Sequence, residues 1–211
     1  MKYSGFDTMS PWKYPLYILL HPTDGFQELK YNKKGSKRIV CLIILFWFLE
    51  ELFYKLKMDF DFNTVDVKDV NVIMLLFSTV ILFVVATVAN WCFCTLMDGK
   101  GTYKDICVVV SYALIPYIAV GFITVVLSWV FVLDEGAIVT YLRVIALLWS
   151  AWLGMSGLSV IHEYSAKKTV ASVLLTILGM LIILFIAFLC FMLLQQLVLF
   201  VSTLRLELLG R

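Results

Sequence analysis

Apolar positions in this chain do not alternate with polar ones; they run on for twenty or thirty residues at a time. Five such runs cover roughly 39–57, 70–96, 106–132, 137–161 and 170–202, cut apart by short charged segments. Each approaches or exceeds the ~20 residues an α-helix needs to cross ~30 Å of hydrocarbon. Because both faces of most runs are apolar, lipid is the matching solvent. The pattern predicts an all-α integral membrane protein, a bundle of five transmembrane helices. It divides the chain into an N-terminal arm (1–38), a membrane domain (39–202) and a short tail (203–211).

Within the arm, Trp12, Tyr14, Leu16, Tyr17, Ile18 and Leu20 form an aromatic and apolar patch suited to a headgroup interface. Residues 23–31 read as a short amphipathic helix with Phe26, Leu29 and Tyr31 near one face and Thr23 or Asp24 as cap. Pro15 and Pro22 bracket an apolar stretch too short for a signal peptide, so the first span is expected to insert as its own anchor. Two roles stand open for this arm: attraction to anionic lipid, or docking of a partner.

Composition supports the membrane reading, at 62% hydrophobic and 15% charged residues, against ~25% charged in an ordinary soluble domain. The net charge of +2 conceals a separation of signs. Lys30, Lys33, Lys34, Lys37 and Arg38 precede the first span, Lys100 and Lys104 follow the second, and Lys167 and Lys168 follow the fourth. The alternate loops hold Asp59, Asp61, Asp66, Asp69, Asp134 and Glu135, with Lys57 and Lys68 in the minority. Basic loops stay in the cytoplasm, so the N-terminus is expected inside and the C-terminus outside. Any sizeable recognition surface then lies on the cytoplasmic side or within the spans.

Polar residues inside the runs need their own reasons. Glu50 and Glu51 fall about two-thirds of the way along the first span at ~1.5 Å per residue, and Arg143 enters the fourth span to a similar depth. Charges at that depth are costly and usually paired, so Arg143 is expected to meet Glu50 or Glu51. Lys55 is a competing partner, and snorkelling of all these side chains to the outer interface is the alternative. Asn90, Gln195 and Gln196 read as interhelical glue, the glutamines lying near the outer edge of an overlong span. Ala146, Ser150 and Gly154, with Gly157 nearby, form a small-residue stripe that allows close helix approach. Pro116 predicts a kink in the third span. Trp91 and Trp129 suit opposite interfaces.

No reactive constellation is visible. His162-Glu163 lacks the second histidine of a metalloprotease helix, and Cys92, Cys94 and Cys107 read as packing residues rather than metal ligands. Asp98-Gly99-Lys100-Gly101-Thr102 lacks both the spacing and the preceding strand of a phosphate-binding loop. The expectation is therefore no catalytic, cofactor or metal site, no nucleic-acid partner, and no enzyme. The glycines would serve a tight turn.

That same loop, continued through Tyr103-Lys104-Asp105 to Ser111-Tyr112-Ala113-Leu114-Ile115-Pro116, resembles the Yip family of small integral membrane proteins, first named for interacting with Ypt/Rab GTPases. The resemblance extends over about residues 20–200. It includes the His21-Pro22 to Gly25-Phe26 element and the loop from His162 to Lys168, and it is nearest to the bacterial branch. It implies a cytosolic N-terminus, five helices and a bacterial plasma membrane. The eukaryotic aspartate-leucine-tyrosine-glycine-proline element is missing and the arm is short, which counts against a Rab-type GTPase as partner.

The expected function is a non-catalytic scaffold or adaptor that binds another integral membrane protein. The candidate recognition residues are Gly99, Lys100, Gly101, Tyr103, Lys104, Asp105, His162, Lys167 and Lys168, with Tyr112, Pro116, Gly154 and Gly157 as structural supports. An accessory subunit beside the permease subunits of an ATP-driven solute importer, and an independent transporter or channel, are the alternatives.

Overall fold

A computed structural model describes residues 14–32, 35–58, 70–131 and 135–209 of the chain. Every element among them is an α-helix: α1 (Tyr14–Leu20), α2 (Pro22–Asn32), α3 (Lys37–Lys57), α4 (Val72–Leu96), α5 (Tyr103–Ala113), α6 (Ile115–Ser128), α7 (Gly136–His162) and α8 (Ala166–Leu209). Trp12, Lys33, Lys34 and the acidic residues Asp59, Asp61, Asp66, Asp69 and Asp134 fall outside the described residues.

Four stretches are long and apolar enough to cross a membrane: α4, α5 together with α6, α7, and α8. The fifth rod, α3, has 21 residues, but Glu50, Glu51, Lys55 and Lys57 crowd its second half. The α5–α6 rod is interrupted at Leu114, and Pro116 stands in the first turn of α6. Proline supplies no N–H to the carbonyl of Tyr112 four residues back, so the ladder breaks there.

Helix α7 lies against α6 along its first part and against α2 and α5 along its last. The small-residue stripe faces inward at Ala146, Ser150 and Gly157, with Leu153 between them, while Trp149 and Trp152 point outward. Gly154 is only in ordinary contact with Ala113, 3.7 Å from where a Cβ would stand. Gly157 is the tight point. A Cβ there would sit 2.5 Å from Val109 Cγ1 and 3.0 Å from the Phe26 ring.

The arm departs from a purely interfacial anchor. Tyr14, Ile18, Phe26 and Leu29 are buried in one core with Ile106, Val109, Tyr112 and Ile161. Tyr14 Oη donates to Gly25 O at 2.9 Å, tying α1 to α2. Only the opposite face, with Leu16, Leu20 and Tyr31, stays exposed. The helical period of these apolar residues is satisfied by α5 and α7 rather than by lipid alone.

Helices α4 and α8 form an antiparallel pair at the edge. Asn90 Nδ2 donates to Thr176 Oγ1 at 2.9 Å, and Gly179 rests against the Phe93 ring. Four buried hydroxyls serve their own helices: Thr87, Ser111, Thr124 and Ser172 each donate to a carbonyl three or four residues back. That local bond removes most of the penalty of an unsatisfied hydroxyl in an apolar core.

The Gly157 contact yields a stability test. Gly157→Val should lower bundle stability in detergent by about 1–3 kcal/mol through overpacking, and combined with Phe26→Ala its loss should be less than additive. Thermal melting of the three variants measures both effects; equal melting of Gly157→Val and wild type would mean the contact has slack.

Candidate functional site

Two chain turns and the arm meet at one end of the bundle. Helix α4 closes at Met97, and the reversal is made by Asp98, which adopts the left-handed conformation at φ 58°. Gly99 N–H then donates back to Cys94 O at 2.7 Å. Neither Gly99 nor Gly101 has a positive φ. This corrects the tight-turn expectation: the glycines make room for His162. A Cβ on Gly99 would collide with His162 Nδ1 and lie 2.7 Å from Tyr164 Oη, and one on Gly101 would lie 2.9 Å from the imidazole.

His162, the last residue of α7, is 2% exposed. Its Nδ1 accepts the Gly101 N–H at 3.3 Å, and its ring stacks on Tyr164 at 5.2 Å between centroids. Nε2 has no hydrogen-bond partner among the described residues. Tyr164 Oη reaches both Cys94 O (3.0 Å) and Met97 O (3.2 Å), so it holds the α7–α8 turn against the end of α4. Burial is the main cause that pushes the Tyr164 phenol up to about 12, with the neighbouring Cys94 adding to it.

Glu163 follows in the left-handed region at φ 57°, while Tyr164 N–H closes on Ser159 O at 3.0 Å. That cap position favours glycine, yet the glutamate side chain makes two ion pairs that glycine could not. Glu163 Oε1 pairs with Lys30 Nζ at 2.7 Å and Oε2 with Lys100 Nζ at 2.5 Å. Lys30 also donates to Val160 O, one of the last carbonyls of α7, at 3.4 Å. One carboxylate thereby links the arm, the glycine loop and the α7 terminus. Hydrogen bonds from Lys100 and Lys30 hold the Glu163 carboxyl down at about 2, and the same contact raises Lys100.

The other candidate residues divide. Lys168 Nζ stands 4.5 Å over the Tyr164 ring and so belongs to the cluster. Asp105 and Thr102 form a capping box that starts α5. Tyr103 turns the other way, edge-on to Trp91 and 3.3 Å from Thr87 Oγ1. Lys104 and Lys167 are exposed. Tyr112 is 1% exposed in the core, and Pro116 and Gly154 lie below the site.

Toward the opposite end, Arg143 Nη2 lies 3.3 Å from Glu50 Oε1 and donates to Tyr117 Oη at 2.8 Å. The guanidinium also covers the Tyr54 ring at 4.0 Å. Glu50 is fully buried, and neither of its carboxyl oxygens has a hydrogen-bond partner among the described residues. Its place exists because Gly121 on α6 has no side chain; a Cβ there would overlap the carboxyl group. Glu51 is half-buried beside the pair. Breaking a buried ion pair from one side leaves an uncompensated charge, which costs more than the pair itself is worth.

Sequence reasoning missed Glu163, Tyr164, Lys30 and Gly121 as site residues. Glu163 carried a signal, being an acidic residue in a turn otherwise flanked by lysines. Gly121 carried none, since its role is to leave space for a residue far away in sequence.

Two measurements follow from this geometry. Arg143→Leu should lower stability in detergent by about 3–5 kcal/mol, and adding Glu50→Gln should recover part of it; strictly additive losses in melting would show that the two side chains act separately. For Glu163, a folded carboxyl at about 2 against an ordinary 4.5 means its stabilisation is present above pH 4.5 and fades as pH falls toward 2. The gap in melting temperature between wild type and Glu163→Gln should therefore stay flat through neutral pH and close in acid. A gap that closes near neutrality would refute the clamp.

A protein-family model for the Yip1 domain matches residues 16–200. No curated protein and no solved structure matches the chain. The matched region runs from α1 through nearly all of α8 and takes in both charged clusters. The chain belongs to the Yip family of multi-pass membrane proteins.

Proposed function

We propose that this protein is a non-catalytic membrane adaptor that crosses the bilayer five times and captures another integral membrane protein through its cytoplasmic end. The observation that carries the reading is the Lys30–Glu163–Lys100 clamp. It brings three separate chain segments together at one carboxylate, and Lys37, Arg38, Lys104 and Lys167, in the same or adjoining segments, are exposed. Such a surface offers fixed backbone and cationic side chains to an acidic or headgroup-level partner, without a nucleophile and base converging on it.

The five-span topology takes its support from contacts at the two ends. Trp129 Nε1 donates to Lys57 O at 2.7 Å, so α6 and α3 finish at one end, while Lys30 and Glu163 bring the arm and the close of α7 to the other. Helix α3 then enters lipid as the first span, its carboxylate Glu50 matched by Arg143. The end with the clamp collects the lysines and is the cytoplasmic one by the positive-inside rule. The reading extends to the bacterial branch and a bacterial plasma membrane, on the likeness of the His21-Pro22 to Gly25-Phe26 element and of the loop from His162 to Lys168.

Capture from native membranes in mild detergent is the test. Glu163→Lys should reduce the recovered partner about tenfold, an effect of ~1.4 kcal/mol, with insertion and expression unchanged. Undiminished recovery would remove the clamp from recognition. Permease subunits among the recovered proteins would identify the adaptor as an importer accessory.

A further inference from the structure

Helix α8 is far longer than a bilayer requires. Its 44 residues extend for roughly 66 Å at ~1.5 Å per residue, against a hydrocarbon thickness of ~30 Å. The Asn90–Thr176 hydrogen bond sets its register against α4. Counting equal steps outward along both helices from that bond places Val72, the first residue of α4, level with Leu194. Helix α4 itself has 25 residues and already spans the hydrocarbon. Everything in α8 past Leu194 therefore stands beyond the lipid core, a rod of roughly 20 Å.

That rod is not made for water. Leu197, Val198, Leu199, Phe200 and Val201 follow one another, and every residue from Leu184 to Leu209 is exposed in the single chain. Yet it is patterned. Leu194, Leu197, Val201, Leu204 and Leu208 recur at alternating steps of three and four, the a and d positions of two heptads, while Val198, Leu199, Phe200, Leu206 and Leu209 fall on other positions. The uncharged polar residues Gln195, Gln196, Ser202 and Thr203 recur seven apart on positions b and c, away from that seam.

We propose that the outer end of α8 is a parallel pairing stalk and that its occupant is the α8 of a second copy of this chain. All copies enter a membrane with one orientation, so their stalks emerge level with each other, parallel and in register. A seam of leucines at a and d is what a parallel helix pair buries, and two matching stalks cover each other's seam without any further chain. Such pairing needs only that α4 and α8 cross the bilayer; it is independent of the cytoplasmic clamp.

Cysteine cross-linking in native membranes tests the pairing, on the full chain with Cys190→Ser because Cys190 falls on the same seam. Leu197→Cys and Leu204→Cys should each form a covalent dimer on mild oxidation, and Thr203→Cys should not. In mild detergent, wild type should show twice the mass of one chain by native mass spectrometry, and Leu204→Glu should shift it to the single-chain mass with helix content unchanged. Cross-linking indifferent to the face, cross-links to a heavier unrelated protein, or a single-chain mass for wild type would overturn the proposal. So would quenching of a fluorophore at position 204 by headgroup-level quenchers, which would mean the helix lies on the lipid surface.

Discussion

Close approach at glycine organises this bundle. In lipid the hydrophobic effect does not draw helices together, because lipid tails are as apolar as leucine; contact area and internal polar bonds must do so. At several points a side chain from one element occupies the space above a glycine of another, among them His162 at Gly99 and Gly101, Phe26 at Gly157, Phe93 at Gly179 and the Glu50 carboxyl at Gly121. Each contact joins segments distant in sequence, and each would be blocked by a single methyl group. The glycine loop thus works as a socket. Its left-handed turn is made by Asp98 instead.

Charge in this molecule follows the same economy. Glu50 is fully buried and Arg143 mostly so, and Tyr54 and Tyr117 pack on the guanidinium. At the other end, Glu163 is exposed enough to be hydrated and still holds two lysines from different segments. The first arrangement resists removal of either partner because burial penalises a lone charge. The second is worth little as a surface ion pair, and its consequence is geometric: one carboxylate contacts the loop and the arm beside the end of α7.

The long runs told of membrane helices, and α4, α7 and α8 lie where those runs fall. Pro116 marked the interruption of the third rod, since a missing N–H acts within one turn. The arm was less legible. Tyr14, Ile18, Phe26 and Leu29 share a helical face, but an apolar face does not declare whether lipid or protein covers it. Among the small residues of α7, spacing drew attention to Gly154, whereas the tight contact is at Gly157, because the facing residues Phe26 and Val109 decide which glycine matters. Tyr103, a neighbour of the socket in sequence, is carried away from it to Trp91 and Thr87 at the start of α5.

The sequence by itself determined the solvent, the helical class and the sorting of basic from acidic loops, since these depend on composition and on periods within one segment. Only the tertiary structure decided which glycine receives which side chain, that Glu163 bridges Lys30 and Lys100, and how far α8 outruns its neighbour. Those are distances between segments far apart in the chain. No local pattern encodes them, because packing selects among many pairings that propensity and hydropathy leave equal.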